Sequence, residues 1–217
     1  MLITFRILMK VISKRIIHEL EHHIPFTIFG ASTGIALMAI ILYGDFFSEI
    51  SSVAKNIFFI LHPTHIFLSA ITTTTIYLKY SKKNVWLALI IGYTGAIVIA
   101  TISDSLIPYI GEIILNLPNP EAHIGIIEEP ILTNVPAFIG IGLGYFKGYS
   151  KFPHSGHVLI STWASLFHII MALGVTITIG QTFGIFFFLF IAVWLPCCTS
   201  DIIYPLFFTN NKNKIQN

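Results

Sequence analysis

Six apolar runs separated by short polar breaks leave this chain almost no choice of fold. They cover about residues 24–43, 58–78, 85–108, 131–146, 156–179 and 183–207. A bilayer core of ~30 Å is crossed by about 20 apolar residues in a helix. Inside lipid, a helix is the one element that satisfies its own backbone N–H and C=O groups within a single segment. The expected fold is therefore all-α: a polytopic membrane protein with a bundle of six transmembrane helices. Charge content points the same way. Only 10% of the 217 residues are charged, against about 25% in soluble domains, too few to coat a water-facing surface. The fourth run is short and carries Gly140, Gly142 and Gly144, which allow close approach to a neighbouring helix.

Residues 1–23 precede the first run. Arg6, Lys10 and Lys14 stand four apart among Ile, Leu, Phe and Met, giving one basic stripe on an apolar cylinder. That pattern predicts an amphipathic helix lying in the headgroup region. No small-residue cleavage site follows it, so it is expected to be retained. Pro25 falls near the start of the first span, where it costs little. Pro63 falls in the first turn of the second. Residues 44–57 read as a polar connection and 109–130 as one long acidic connection. The six-span membrane domain covers 24–207, and 208–217 reads as a disordered cytoplasmic tail.

Placing the N-terminus in the cytoplasm puts 11 of the 12 Lys and Arg residues on that side, leaving only Lys55 outside. The positive-inside rule thus predicts both termini inside, in the plasma membrane. No run of basic residues interleaved with aromatics is present, which argues against nucleic-acid binding. Cys197 and Cys198 are adjacent. On a helix they point about 100° apart, so a disulfide between them is not expected. The expected partners are the lipid bilayer and a metal ion, with room for a homo-oligomer.

Ionisable residues in or at the ends of spans are costly and mark function by default. The topology sorts them into two layers. The cytoplasmic layer holds His18, Glu19, His22 and His23 before the first span, His154 and His157 entering the fifth, and Cys197, Cys198 and Asp201 late in the sixth. His18 and His22 lie four apart and share a helix face, and His154 and His157 form a His-x-x-His pair. The outer layer holds His62 and His65 opening the second span, Asp104 and Glu112 around the end of the third, and His123, Glu128 and Glu129 in the acidic connection. His168 is expected between the layers, on one face of the fifth span with His157, Ser161 and Ser165. Imidazole, thiolate and carboxylate are the ligand types of zinc and related divalent ions.

His18-Glu19-Leu20-Glu21-His22 also matches H-E-x-x-H, the spacing that sets two zinc-binding His on one helix face beside a general base. The match is similar to the motif of intramembrane zinc proteases. That resemblance implies His18 and His22 as ligands, Glu19 as the base and Asp201 as a third ligand. Three functions follow as expectations. The first is divalent metal-ion transport or handling, zinc foremost, through His22, His23, His154, His157, Asp201, His62, His65, Asp104 and His168. The second is a membrane-embedded zinc hydrolase using Glu19. The third is a non-catalytic membrane scaffold.

Overall fold

A computed structural model describes residues 2–81, 84–147, 152–198 and 203–208, and among these there is no strand. The helices are α1 (Leu2–Tyr43), α2 (Phe47–Tyr80), α3 (Val85–Thr101), a π-helical turn (Ile102–Leu106), α4 (Ile107–Ile114), α5 (Gly125–Glu128), α6 (Pro130–Lys147), α7 (Phe152–Ala172), α8 (Ile179–Cys198) and α9 (Tyr204–Phe207). The all-α bundle is the fold the apolar runs required. Four stretches are long and apolar enough to cross a membrane: His23–Tyr43, Phe47–Tyr80, Val85–Ile114 and Ile179–Cys197. Pro130–Phe146 and Gly156–Ala172 are shorter apolar helices. Large apolar side chains stay exposed around the bundle, among them Phe29, Ile60, Trp86, Phe146 and Phe183. Such a surface suits lipid rather than water.

Several boundaries differ from the sequence expectation. The amphipathic segment and the first span form one continuous helix, so Pro25 sits inside α1 rather than at a start. Pro63 likewise lies well inside α2. A proline inside a helix forfeits one i→i−4 hydrogen bond, a loss that membrane helices tolerate with help from nearby hydroxyls and neighbouring helices. Residues 47–57, expected as a connection, already belong to α2. The reversal needs only Gly44–Phe46: Gly44 donates to the Ile40 carbonyl, and Asp45 takes a left-handed φ of 60°. The polar residues of 48–55 lie along a helix that continues past the apolar region. The fifth helix ends at Ala172, earlier than expected, and α8 begins at Ile179. Thr178 and Gln181 cap α8 reciprocally: the Gln181 N–H donates to Thr178 Oγ1 at 3.2 Å, and the Thr178 N–H donates to Gln181 Oε1 at 2.9 Å, a capping box.

Helix α2 is the hub, packing on α3, α6 and α7, while α1 packs on α7 and α8. Glycine sets the α2–α6 distance. A Cβ on Gly140 would stand 2.5 Å from the Phe67 carbonyl oxygen, and one on Gly144 would stand 2.7 Å from that of Ile71. Gly142 has nothing within 4 Å of such a Cβ, so of the three glycines only Gly140 and Gly144 serve close packing. Between α1, α2, α7 and α8 lies the largest apolar cluster, with Met38, Phe58, Leu166, Ile170 and Leu189.

Candidate metal centre

Four elements bring polar side chains to the middle of the bundle. Helix α2 contributes His62 and His65, one turn apart. The π turn contributes Ser103, Asp104 and Ser105, three consecutive residues with no exposed surface. A π turn winds more widely than an α-helix and shifts the face its residues present. Such turns are common at functional sites. Helix α7 contributes His157, Ser161, Ser165 and His168 from one face, and α8 contributes Cys197. All of these are buried.

Asp104 is the centre. Its Oδ2 accepts from His62 Nδ1 at 2.9 Å and from His65 Nδ1 at 2.7 Å. Its Oδ1 accepts from Ser161 Oγ at 2.7 Å. Stripping a carboxylate of water costs several kcal/mol. Three bonds to a charged acceptor return about 1.5–3 kcal/mol each, so the group is affordable here only with all three donors. Ser103 Oγ lies 2.7 Å from Ser161 Oγ. Ser161 already gives its proton to Asp104, so Ser103 donates to it.

The Asp104 bonds also settle the histidine tautomers. A carboxylate only accepts, so both Nδ1 atoms carry a proton, and in the neutral rings both Nε2 atoms present lone pairs. The Nε2 of His65 faces Cys197, whose Sγ is 3.7 Å away. The His65 ring stacks on that of His157 at 5.5 Å between centroids. One ligand atom each from His65, His157 and Cys197 lies within 4.8 Å of the others. These are two nitrogens and a sulfur, drawn from three helices, all buried. With Asp104 behind His65, an ion bound here would complete the carboxylate–histidine–metal arrangement that orients ligating histidines and raises their basicity. Such a set can hold a divalent transition-metal ion with one coordination position open.

The two expected layers therefore meet. His65 and Asp104, expected outside, join His157 and Cys197, expected at the cytoplasmic end. His168, expected midway, is grouped with Glu112 and His123 instead. Its Nδ1 donates to Glu112 Oε1 at 2.7 Å and its Nε2 accepts the His123 backbone N–H at 3.2 Å. Glu112 is itself buried and accepts the Glu121 N–H at 3.3 Å. Phe58 links the groups, stacked on His62 at 5.2 Å and edge-on to His168 at 5.4 Å. In the acidic connection Glu128 holds Lys55 at 2.8 Å and His123 at 3.0 Å. Burial works against its charge, but the Lys55 and His123 hydrogen bonds outweigh it, and the Glu128 carboxyl lies below the usual range.

His23 is buried on α1 and is not one of the three converging ligands. Asp201 lies outside the described residues, as do the side chains of His18, Glu19, His22, His154 and Cys198. Cys197 was legible only as one of a pair. Its spacing of four and eight from the buried Val193 and Leu189 marks the inward face of α8. Ser103 carried no signal, because a single hydroxyl in an apolar run is common in membrane helices and bonds back to its own backbone. Comparisons with protein-family models, with curated proteins and with solved structures find no match for this chain.

Proposed function

We propose that this protein is a membrane carrier of divalent transition-metal ions, zinc foremost, with His65, His157 and Cys197 as its central station. One observation carries the reading: three buried ligand atoms of zinc-like type from three helices lie within 4.8 Å of one another, with Asp104 fixing the tautomer of His65. Transport is favoured over hydrolysis by what surrounds that point. Beyond it lie Asp104 and His62, then, across the Phe58 ring, His168 and Glu112, and the series ends at an acidic rim of Glu121, Glu128 and Glu129. His157 and His168 are eleven residues apart on α7, about 16 Å at 1.5 Å per residue. The series thus covers roughly half of a ~30 Å hydrocarbon core. In this reading the ion enters or leaves at the acidic rim, and both termini face the cytoplasm by the distribution of Lys and Arg.

The test is zinc flux into proteoliposomes holding a zinc-sensitive dye, with metal analysis of the same purified protein. Zinc should accumulate in a protein-dependent manner, and His65→Ala should abolish flux and the tightly bound metal. Glu19→Gln should leave both intact. Flux that survives His65→Ala would overturn the carrier reading. A hydrolytic activity lost with Glu19→Gln would replace it with the zinc-hydrolase reading.

A further inference from the structure

We propose a second cation station on the outer side of the first, built on His62 Nε2 and Thr133 Oγ1 beneath the start of α5. It rests on the reading of His65, His157 and Cys197 as an ion site. His62 has no exposed surface. Its Nδ1 proton is committed to Asp104, so in the neutral ring its Nε2 is a bare lone pair, and among the described residues that atom has no hydrogen-bond partner. Thr133, in the first turn of α6, is equally buried, and its Oγ1 also has no partner among the described residues. Both atoms lie beside Gly125: a Cβ there would stand 2.6 Å from His62 Cδ2, 2.8 Å from its Nε2 and 3.1 Å from Thr133 Oγ1. Leaving a polar atom buried and unpaired costs about 1–3 kcal/mol, and two such atoms around one point are accounted for by a shared occupant.

Its chemical class follows from the surroundings. Nε2 offers only a lone pair, which excludes an anion as its direct partner. Thr133 adds a neutral oxygen. The rim above holds Glu121, Glu128 and Glu129 with Lys55 as the nearby cation, and Phe58 lays its ring face against His62. A divalent cation that keeps part of its water fits this environment. His62 is three residues from His65, a rise of about 4.5 Å, so the stations are successive steps on one path. Asp104 couples them, because both imidazoles donate to its Oδ2. A cation on one Nε2 makes that ring's N–H the stronger donor and weakens the other ring's bond to the shared oxygen. Occupancy of the outer station therefore loosens the inner ion, as in conduction between adjacent sites.

Cobalt(II) titration of the purified full chain in detergent tests this. Two ions should bind: a tighter one with a thiolate-to-metal absorption band from Cys197, and a weaker one without it. His62→Asn keeps an N–H at the Nδ1 position for Asp104 and deletes Nε2. It should retain the tight ion and its band and weaken the second by at least about tenfold, since loss even of an outer-shell partner costs 10–100-fold. Gly125→Ala pushes a methyl against Nε2 and should do the same with His62 intact, as should Thr133→Val. A single ion with the thiolate band in the unaltered chain overturns the outer station and leaves the inner one standing. So does a second ion retained by both His62→Asn and Gly125→Ala. Absence of any thiolate-bound cobalt overturns the inner reading and this one with it.

Discussion

Asp104 shows how much one side chain can organise. A single carboxylate orients two imidazoles, fixes both in the Nδ1–H tautomer and anchors the Ser161–Ser103 hydroxyl pair. It supports the proposed ion without touching it. Asp104→Asn keeps the shape, removes the charge and replaces one acceptor with a donor. We expect zinc affinity to fall by about 10–100-fold, read by competition against a chelating dye, with the helical content unchanged. An unaltered affinity would mean that His65 is oriented by something else. At this scale the sequence was informative about chemistry and silent about pairing. The spacing of His62 and His65 put them on one stripe of α2, and Asp104 stood out as an acid deep in an apolar run.

At the scale of elements, glycine and the rim contacts decide different things. Helix α6 meets α2 through Gly140 and Gly144, whereas Gly142 faces open space. Gly140→Leu forces a side chain into the α2 backbone and should cost about 1–3 kcal/mol or more, as overpacking does. Gly142→Leu should be close to neutral. Thermal unfolding in detergent separates the two, and equal effects would contradict the packing.

The short helix α5 is tied down by Glu128, which bonds Lys55 of α2 and His123. Because the Glu128 carboxyl lies below its ordinary value of about 4.3, its contribution is complete above that pH. It fades as the pH falls through the lower folded value. A spin label at the exposed Ile127 should thus gain motion only in acid, and should show the same motion at neutral pH in Glu128→Gln. A label whose motion ignores both changes would show that Glu128 does not hold α5. The reciprocal cap at Thr178 and Gln181 has the T-x-x-Q form of a capping box, but it lies at the end of a run, 156–179, that read as one span. The continuity of α1 through Pro25 was not legible in advance, because the bilayer and neighbouring helices supply what proline removes.

For the whole molecule, the arrangement of charge predicts the sidedness that transport requires. In a chain whose own cysteines are replaced by serine, single cysteines at Lys55 or Glu121 should react with an impermeant maleimide in intact cells. Cysteines at Lys82 or Lys214 should react only after permeabilisation. Labelling of Lys214 from outside would reverse the assigned orientation and the direction of the proposed path.

The sequence by itself determined that the chain is a bundle of apolar helices, where most of those helices lie, and which residue types could serve an ion. Apolar runs and backbone hydrogen bonding are local, and local physics can be read along a chain. Only the tertiary structure decided that His65 meets Cys197, 132 residues away, that His157 joins them, and that His168 turns to Glu112 instead. Convergence depends on how each helix is rotated and how closely it packs. It also depends on the π turn at Ile102–Leu106, which shifts the inward face of its helix out of the 3.6-residue period. No periodicity in the sequence reports that shift, and it is what carries Asp104 to the centre of the site.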